Sequence, residues 1–234
     1  GAASPRAAER RVLVKKTTKR RLGVGIPLLI VVLVAAYLGW RWYRMRPSDY
    51  EQRIPVYPAS SSAEPSPAGD VPEGCASDPS PIVGTHITFD GHTESLSLLS
   101  LGLDAEGLPG TPPGNEGYTV AWWNGGPAVG SAQGKAVLTS HTFRYGGALG
   151  NDLNDGMLKT GDVIRISDDA GDTVCYRFTN ALKIYVDTYD PDSDVLYDNG
   201  GDPKIVIVVC SDYPSDGGDP QARVLYYADL VRAA

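Results

Sequence analysis

The chain has 234 residues and a mass of 24.9 kDa, with 42% hydrophobic and 21% charged residues, which suits one globular core and excludes two large domains. Its formal charge of −7 conceals a division: residues 1–46 carry 11 Lys and Arg against one acid, Glu9, for a net +10, while residues 47–234 carry 10 bases and 27 acids, net −17. Phosphate binding needs clustered cations on the folded part, so an acidic body behind a basic head excludes a nucleic-acid binder.

Residues 22–40, LGVGIPLLIVVLVAAYLGW, run for 19 residues without a charge, about 28 Å at 1.5 Å per residue and close to a bilayer core. Pro27 and three glycines are tolerated in membrane helices, and Tyr37, Trp40, Trp42 and Tyr43 supply an interfacial aromatic cluster. Arg10, Arg11, Lys15, Lys16, Lys19, Arg20 and Arg21 before the segment outnumber Arg41, Arg44 and Arg46 after it. The excess of positive charge predicts a cytoplasmic tail over 1–21, a single-pass anchor in the cell membrane over 22–43, and the acidic body outside the cell. A cleaved signal peptide is the alternative. The length of the apolar run and the bulky residues that follow Ala35 and Ala36 weigh against it.

Residues 44–81 are rich in Pro, Ser, Ala and Gly and poor in large apolar side chains. That composition predicts a semi-extended extracellular linker. From 82 to 234 the pattern becomes short β-branched and aromatic runs between turn residues, with candidate strands at 82–89, 97–103, 118–123, 135–141, 162–166, 173–179, 182–186, 204–210 and 223–231. The fold class is therefore all-β, a sandwich or a barrel. Residues 147–153 and 155–159 are the stretches with a helical pattern.

Three cysteines, Cys75, Cys175 and Cys210, are too few for a disulfide-built scaffold, and their odd number leaves a free thiol if the others pair. Cys210 ends the most apolar run of the chain, residues 205–209, and opens directly onto the loop Ser211-Asp212-Tyr213-Pro214. A thiol at the end of a rigid strand beside a loop suits a nucleophile; a packed structural cysteine is the bland alternative. His141 also stands at a strand-to-loop edge, and imidazole is the side chain that exchanges protons near neutral pH. His86 and His92 compete for that part from an early polar stretch without such a context. Arg223 opens the last strand, where it either pairs with Asp212, Asp216 or Asp219 at the surface or stabilises an oxyanion formed in acyl transfer.

In order along the chain, LGLDAEGLP at 101–109, AWWNGGPAVG at 121–130, AVLTSH at 136–141, LKTGD at 158–162 and the closing stretch from Cys210 through Arg223 to Leu230 resemble the sortases, the membrane-anchored cysteine transpeptidases of Gram-positive bacteria, and most closely the actinobacterial class E and F enzymes. The resemblance implies an eight-stranded β-barrel over 82–234, with Cys210 as nucleophile, His141 as general acid and base, and Arg223 as oxyanion and substrate clamp. It further implies cleavage of a Leu-Pro-any-Thr-Gly (LPXTG) sorting signal of secreted proteins between Thr and Gly. The resulting thioester would be resolved by a cell-wall amine on the peptidoglycan cross-bridge or lipid II. Two features depart from the family pattern: Val206-Ile207-Val208-Val209 has no threonine before Cys210, and 12 residues rich in Asp and Gly separate Cys210 from Arg223. A pilin-polymerising sortase, or a silent β-barrel module with a structural Cys210, are the rival readings.

No cofactor is required by this chemistry. The spacing Asp190, Asp192, Asp194 is that of a calcium loop, yet Val195 and Gly201 stand where such a loop needs Gly and Glu, so a solvated acidic loop is the default. Export would allow Cys75 and Cys175 to form a disulfide that staples the linker to the barrel and leaves Cys210 free.

Overall fold

β-branched and aromatic runs separated by turn residues become strands when each can bury a face against its neighbours. In the computed structural model, which describes residues 25–57 and 70–233, eight of them do: β1 (His86–Phe89), β2 (Leu96–Leu101), β3 (Val120–Trp123), β4 (Lys135–Ser140), β5 (Val163–Ser167), β6 (Thr173–Tyr185), β7 (Lys204–Ser211) and β8 (Ala222–Leu230). They close into a barrel in the order β1-β2-β3-β4-β7-β8-β6-β5, in which β2/β3 and β4/β7 run parallel and the other pairs antiparallel. The expected segments 173–179 and 182–186 are one strand. A register shift between Phe178 and Asn180 absorbs the polar interruption that made them look separate.

Alternation along the strands sorts the side chains into two sets. Ile205, Ile207 and Val209 of β7, Val224, Tyr226 and Ala228 of β8, and Ala136 and Leu138 of β4 fill the barrel. Their neighbours in sequence, Val206, Leu225, Tyr227 and Val137, form a second apolar layer on the outer face, covered by Tyr189, Val195, Leu196 and Tyr197 from the β6–β7 connection. Lys135 fastens that cover. Its Nζ donates to the carbonyls of Asp194 (2.5 Å) and Val195 (3.1 Å) and stands 5.3 Å from the centre of the Tyr227 ring. Burial lowers its pKa to about 8.

A short helix after β4, Leu149–Asn154, sends Leu149 and Leu153 into the core. It was expected over 147–153, while 155–159 forms no helix. Near the N-terminus a helix spans Gly25–Arg44, with side chains described from Leu29 onward. This corrects the expected membrane anchor over 22–43: among the described residues no helix is long and apolar enough to cross a membrane. Arg41 and Arg44 lie within its last turn, leaving 16 uncharged helical residues before them, about 24 Å against the roughly 30 Å of a bilayer core. The basic tail over 1–21 and residues 22–24 lie outside the described residues.

Much of the expected linker over 44–81 is built onto the barrel. Ile54 enters the core, Tyr57 N–H donates to Lys183 O (2.6 Å), and Lys183 N–H donates to Pro55 O (2.8 Å). Farther on, Ala76 N–H donates to Thr173 O and Ala233 N–H to Ser77 O, each at 2.8 Å. Composition disguised this, because a few main-chain bonds and single apolar anchors hold the segment rather than a repeating apolar face. Residues 58–69 lie outside the described residues.

Cys75 and Cys175 are joined by a disulfide, with Cα atoms 5.7 Å apart and 100 residues of sequence separation. A cross-link over so long a loop restricts the unfolded chain, an effect typically worth about 2–4 kcal/mol. Cys75→Ser is therefore expected to lower the unfolding free energy by about 2–4 kcal/mol in urea titration, with native far-ultraviolet circular dichroism retained.

Candidate active site

Cys210 is the penultimate residue of β7 and the free cysteine of the chain, half-buried. The alternation that places Val206 and Val208 against the outer layer carries Cys210 to the same outer face, at the strand's end. Directly opposite across the antiparallel pairing stands Arg223, which shares the face of Leu225 and Tyr227 on β8. On the other side β4 runs parallel to β7, paired as far as Thr139 with Val208, and His141 is the first residue after β4. Cys210 and Arg223 are thus direct neighbours, and His141 follows the strand that pairs with β7 on its other side.

Each is held by its surroundings. His141 Nε2 lies 2.8 Å from Pro112 O and 3.1 Å from Pro113 O, and since carbonyls only accept, this nitrogen carries a proton. The ring stacks on Phe143 with centroids 5.7 Å apart. Gly150 N–H donates to His141 O (2.8 Å), an approach that needs glycine: a Cβ there would lie 2.6 Å from His141 O and 2.9 Å from Val209 Cβ. Arg223 Nη1 donates to the carbonyls of Pro220 (3.1 Å) and Ala222 (3.0 Å) rather than pairing with Asp212, Asp216 or Asp219. His86 and His92 are not brought here. Both lie by β1, on another part of the barrel, where His86 contacts Thr85 and His92 pairs with Asp162 at 2.9 Å.

The electrostatics of the thiol are a balance. Burial pushes the Cys210 pKa up, the Arg223 guanidinium and a hydrogen bond with Tyr213 pull it down, and burial prevails. The Tyr213 hydroxyl donates to Thr142 O, and burial together with the adjacent thiol raises its pKa to about 12. At neutral pH the arrangement is a neutral thiol beside a neutral phenol.

The family model described as "Sortase domain" matches residues 99–231, more than half of the chain, and contains Cys210, His141 and Arg223. The chain belongs to the sortase family. It is accordingly a cysteine transpeptidase. Solved structures that it is similar to include sortase C-1 from Actinomyces oris (22% identity, 62% of this chain and 72% of that one, TM-score 0.46). Others are sortase A from Corynebacterium diphtheriae (18%, 66% and 63%, 0.48) and sortase A from Listeria monocytogenes (16%, 65% and 89%, 0.42). No curated protein matches the chain in sequence.

In this sortase several residues beside Cys210 escaped the sequence reading. Asn154 Nδ2 donates to Cys210 O (3.0 Å) while its Oδ1 accepts from the Tyr226 hydroxyl (2.9 Å). Arg144 donates to Pro214 O and Gly218 O, each at 2.5 Å, and lies 5.0 Å from the Tyr213 ring centre, so it clamps the long β7–β8 loop. Asp212, among the described residues the one non-glycine with a left-handed backbone (φ 55°), turns the chain immediately after the strand; such a conformation costs about 1–3 kcal/mol and Asp is among the residues that adopt it best. No periodicity marks any of them, because each acts through a contact between distant segments.

The calcium candidates Asp190, Asp192 and Asp194 are not gathered around a common point, and among the described residues no group of three His, Cys, Asp or Glu could hold a metal ion. Asp190 instead caps its own turn, its Oδ1 accepting from Asp192 N–H at 3.0 Å.

Because burial disfavours the thiolate, alkylation of Cys210 by iodoacetamide, followed by mass spectrometry, is expected to rise with pH through a midpoint above the roughly 8.5 of a free cysteine. Arg223→Ala removes the cation that favours the thiolate and is expected to move the midpoint higher still; an unchanged midpoint would show that the guanidinium does not act on the sulfur.

Proposed function

We propose that the chain cleaves an LPXTG-like sorting signal between Thr and Gly and transfers the new carboxyl end to a cell-wall amine, with Cys210 as nucleophile, His141 as general acid and base, and Arg223 as the oxyanion and substrate clamp. The observation that carries this reading is the register that sets Cys210 directly opposite Arg223, with His141 next after β4, the strand that pairs with β7 on its other side. Cys210 Sγ attacks the Thr carbonyl carbon, and the guanidinium N–H groups of Arg223 receive the negative charge that develops on its oxygen. The Thr–Gly C–N bond then breaks as His141 gives a proton to the departing amine, leaving a thioester. An incoming amine attacks that carbon, loses its proton to His141 and displaces Cys210, forming the new amide.

The raised thiol pKa favours a mechanism in which the minority of enzyme holding thiolate and imidazolium together is the reactive form. The disulfide between Cys75 and Cys175 supports work outside the reducing cytoplasm, where proteins carrying sorting signals and wall amines are found. The proposed partners are therefore secreted proteins with LPXTG-like signals and a peptidoglycan precursor amine.

The full chain is to be mixed with Leu-Pro-any-Thr-Gly and Leu-Ala-any-Thr-Gly peptides and hydroxylamine, with products read by mass spectrometry. Hydroxamate at Thr is expected with wild type and none with Cys210→Ala. Arg223→Lys keeps the charge but loses the planar fork, and is expected to lower kcat by about 10²–10³-fold. Equal product from wild type and Cys210→Ala would reject the assignment.

A further inference from the structure

Behind the outer face that presents Cys210, the inner side of the same barrel end holds a buried charged cluster. Lys183 of β6 lies 3.2 Å from Glu51 Oε1 and 3.1 Å from Asp212 Oδ1, and the Lys183 and Glu51 side chains are only 7% and 8% exposed. The Ser211 hydroxyl donates to Glu51 and stands 3.2 Å from Asp212 Oδ1. Ser211 and Asp212 are the two residues that follow Cys210. Glu51 comes from a segment that precedes every strand of the barrel and lies outside the family-matched residues 99–231.

A second path leads from the same segment to the same place. The Ser48 hydroxyl donates to Asn154 O and accepts from Glu51 N–H (3.0 Å), and Asn154 Nδ2 holds Cys210 O at 3.0 Å. Stability alone does not call for such an arrangement, since apolar residues of similar volume commonly replace buried ion pairs without loss. Its contacts end instead on the main chain of Cys210, on Ser211 and on the left-handed Asp212.

We propose that residues 48–57 are a positioning strap, in which Glu51 through Lys183 and Asp212, and Ser48 through Asn154, set the Cys210–Ser211–Asp212 turn that presents the thiol. The inference rests on the reading of Cys210 as nucleophile. The groups facing Glu51 are Lys183, Asp212, Ser211 and Tyr226, with Tyr50 beside it in the chain. Glu51 has its pKa raised chiefly by burial, and Asp212 has its pKa lowered with Lys183 as the chief stabilising partner, so Glu51 is the carboxyl that accepts a proton first as pH falls. A Gln at 51 therefore keeps both shape and hydrogen bonding, whereas an Ala removes the grip.

The test uses the full chain with Glu51→Ala, Glu51→Gln and Ser48→Ala, followed by three readouts: thermal melting, kcat and KM on the peptide that wild type cleaves, and the pH profile of Cys210 alkylation. With Glu51→Ala, kcat is expected to fall about tenfold to hundredfold with KM within about twofold. Its alkylation midpoint is expected to drop toward the ordinary thiol value as the loosened turn admits water. Glu51→Gln is expected to recover most of kcat and the wild-type profile. A lower melting temperature with unchanged kcat and alkylation profile in the folded protein would overturn the proposal and leave the segment a structural brace. If Glu51→Ala does not fold, Ser48→Ala decides, with a loss of about threefold to tenfold in kcat expected and none overturning the strap. Should wild type cleave no sorting peptide, the functional reading fails, while the alkylation profiles still decide on the strap.

Discussion

β7 and β8 are hydrogen-bonded in antiparallel register through eight residue pairs, from Lys204 against Asp229 to Ser211 against Ala222. That register makes Cys210 and Arg223 direct neighbours. A slip of one residue would turn every side chain of β7 to the opposite face, sending Cys210 into the barrel and Val209 out of it. The apolar set Ile205, Ile207 and Val209 inside, with Val206 and Val208 against the outer layer, prevents such a slip. The Cys210–Arg223 pair is thus specified by the same hydrophobic alternation that closes the core, and β4, paired in parallel with β7, leads into His141.

The thiol stands where two demands conflict. Burial steadies its geometry and limits its contact with water, yet the same burial works against the thiolate form. Arg223 and Tyr213 offset part of that penalty, one as a fixed charge and the other as a hydrogen-bond partner. The pKa remains raised, so the thiolate is the disfavoured form of Cys210.

Three connections lie at this end or over this face of the barrel, and side chains bonded to main-chain carbonyls help to fix each of them. The β2–β3 connection reaches His141 through the carbonyls of Pro112 and Pro113. The β6–β7 connection lies over the outer apolar layer and is fastened by Lys135, while Arg144 ties down the β7–β8 loop. The segment before the barrel completes the set from the inner side through Glu51 and Ser48. Such loops can change in length and chemistry while the three-strand platform of β4, β7 and β8 stays the same.

The strand-rich character of the chain and the approximate limits of most strands were legible in the sequence, because period-two alternation and turn residues act locally, and the spaced motifs, surviving in order, pointed to the family. The merging of 173–179 with 182–186 was not, since a bulge leaves no apolar signature. The helix Gly25–Arg44 was visible as an apolar run, but among the described residues no helix is long and apolar enough to cross a membrane. Glu51, Lys183 and Asn154 carried no local mark: a charged residue in a Pro- and Ser-rich stretch reads as solvated until the fold buries it opposite a partner 132 residues away. Hydrophobic patterning, a property of neighbours along the chain, thus determined the all-β class from sequence alone, while the choice of a barrel over a sandwich came from the motifs shared with the family. The closure of that barrel decided which distant polar groups would be desolvated together, and so which of them could hold the turn at Cys210.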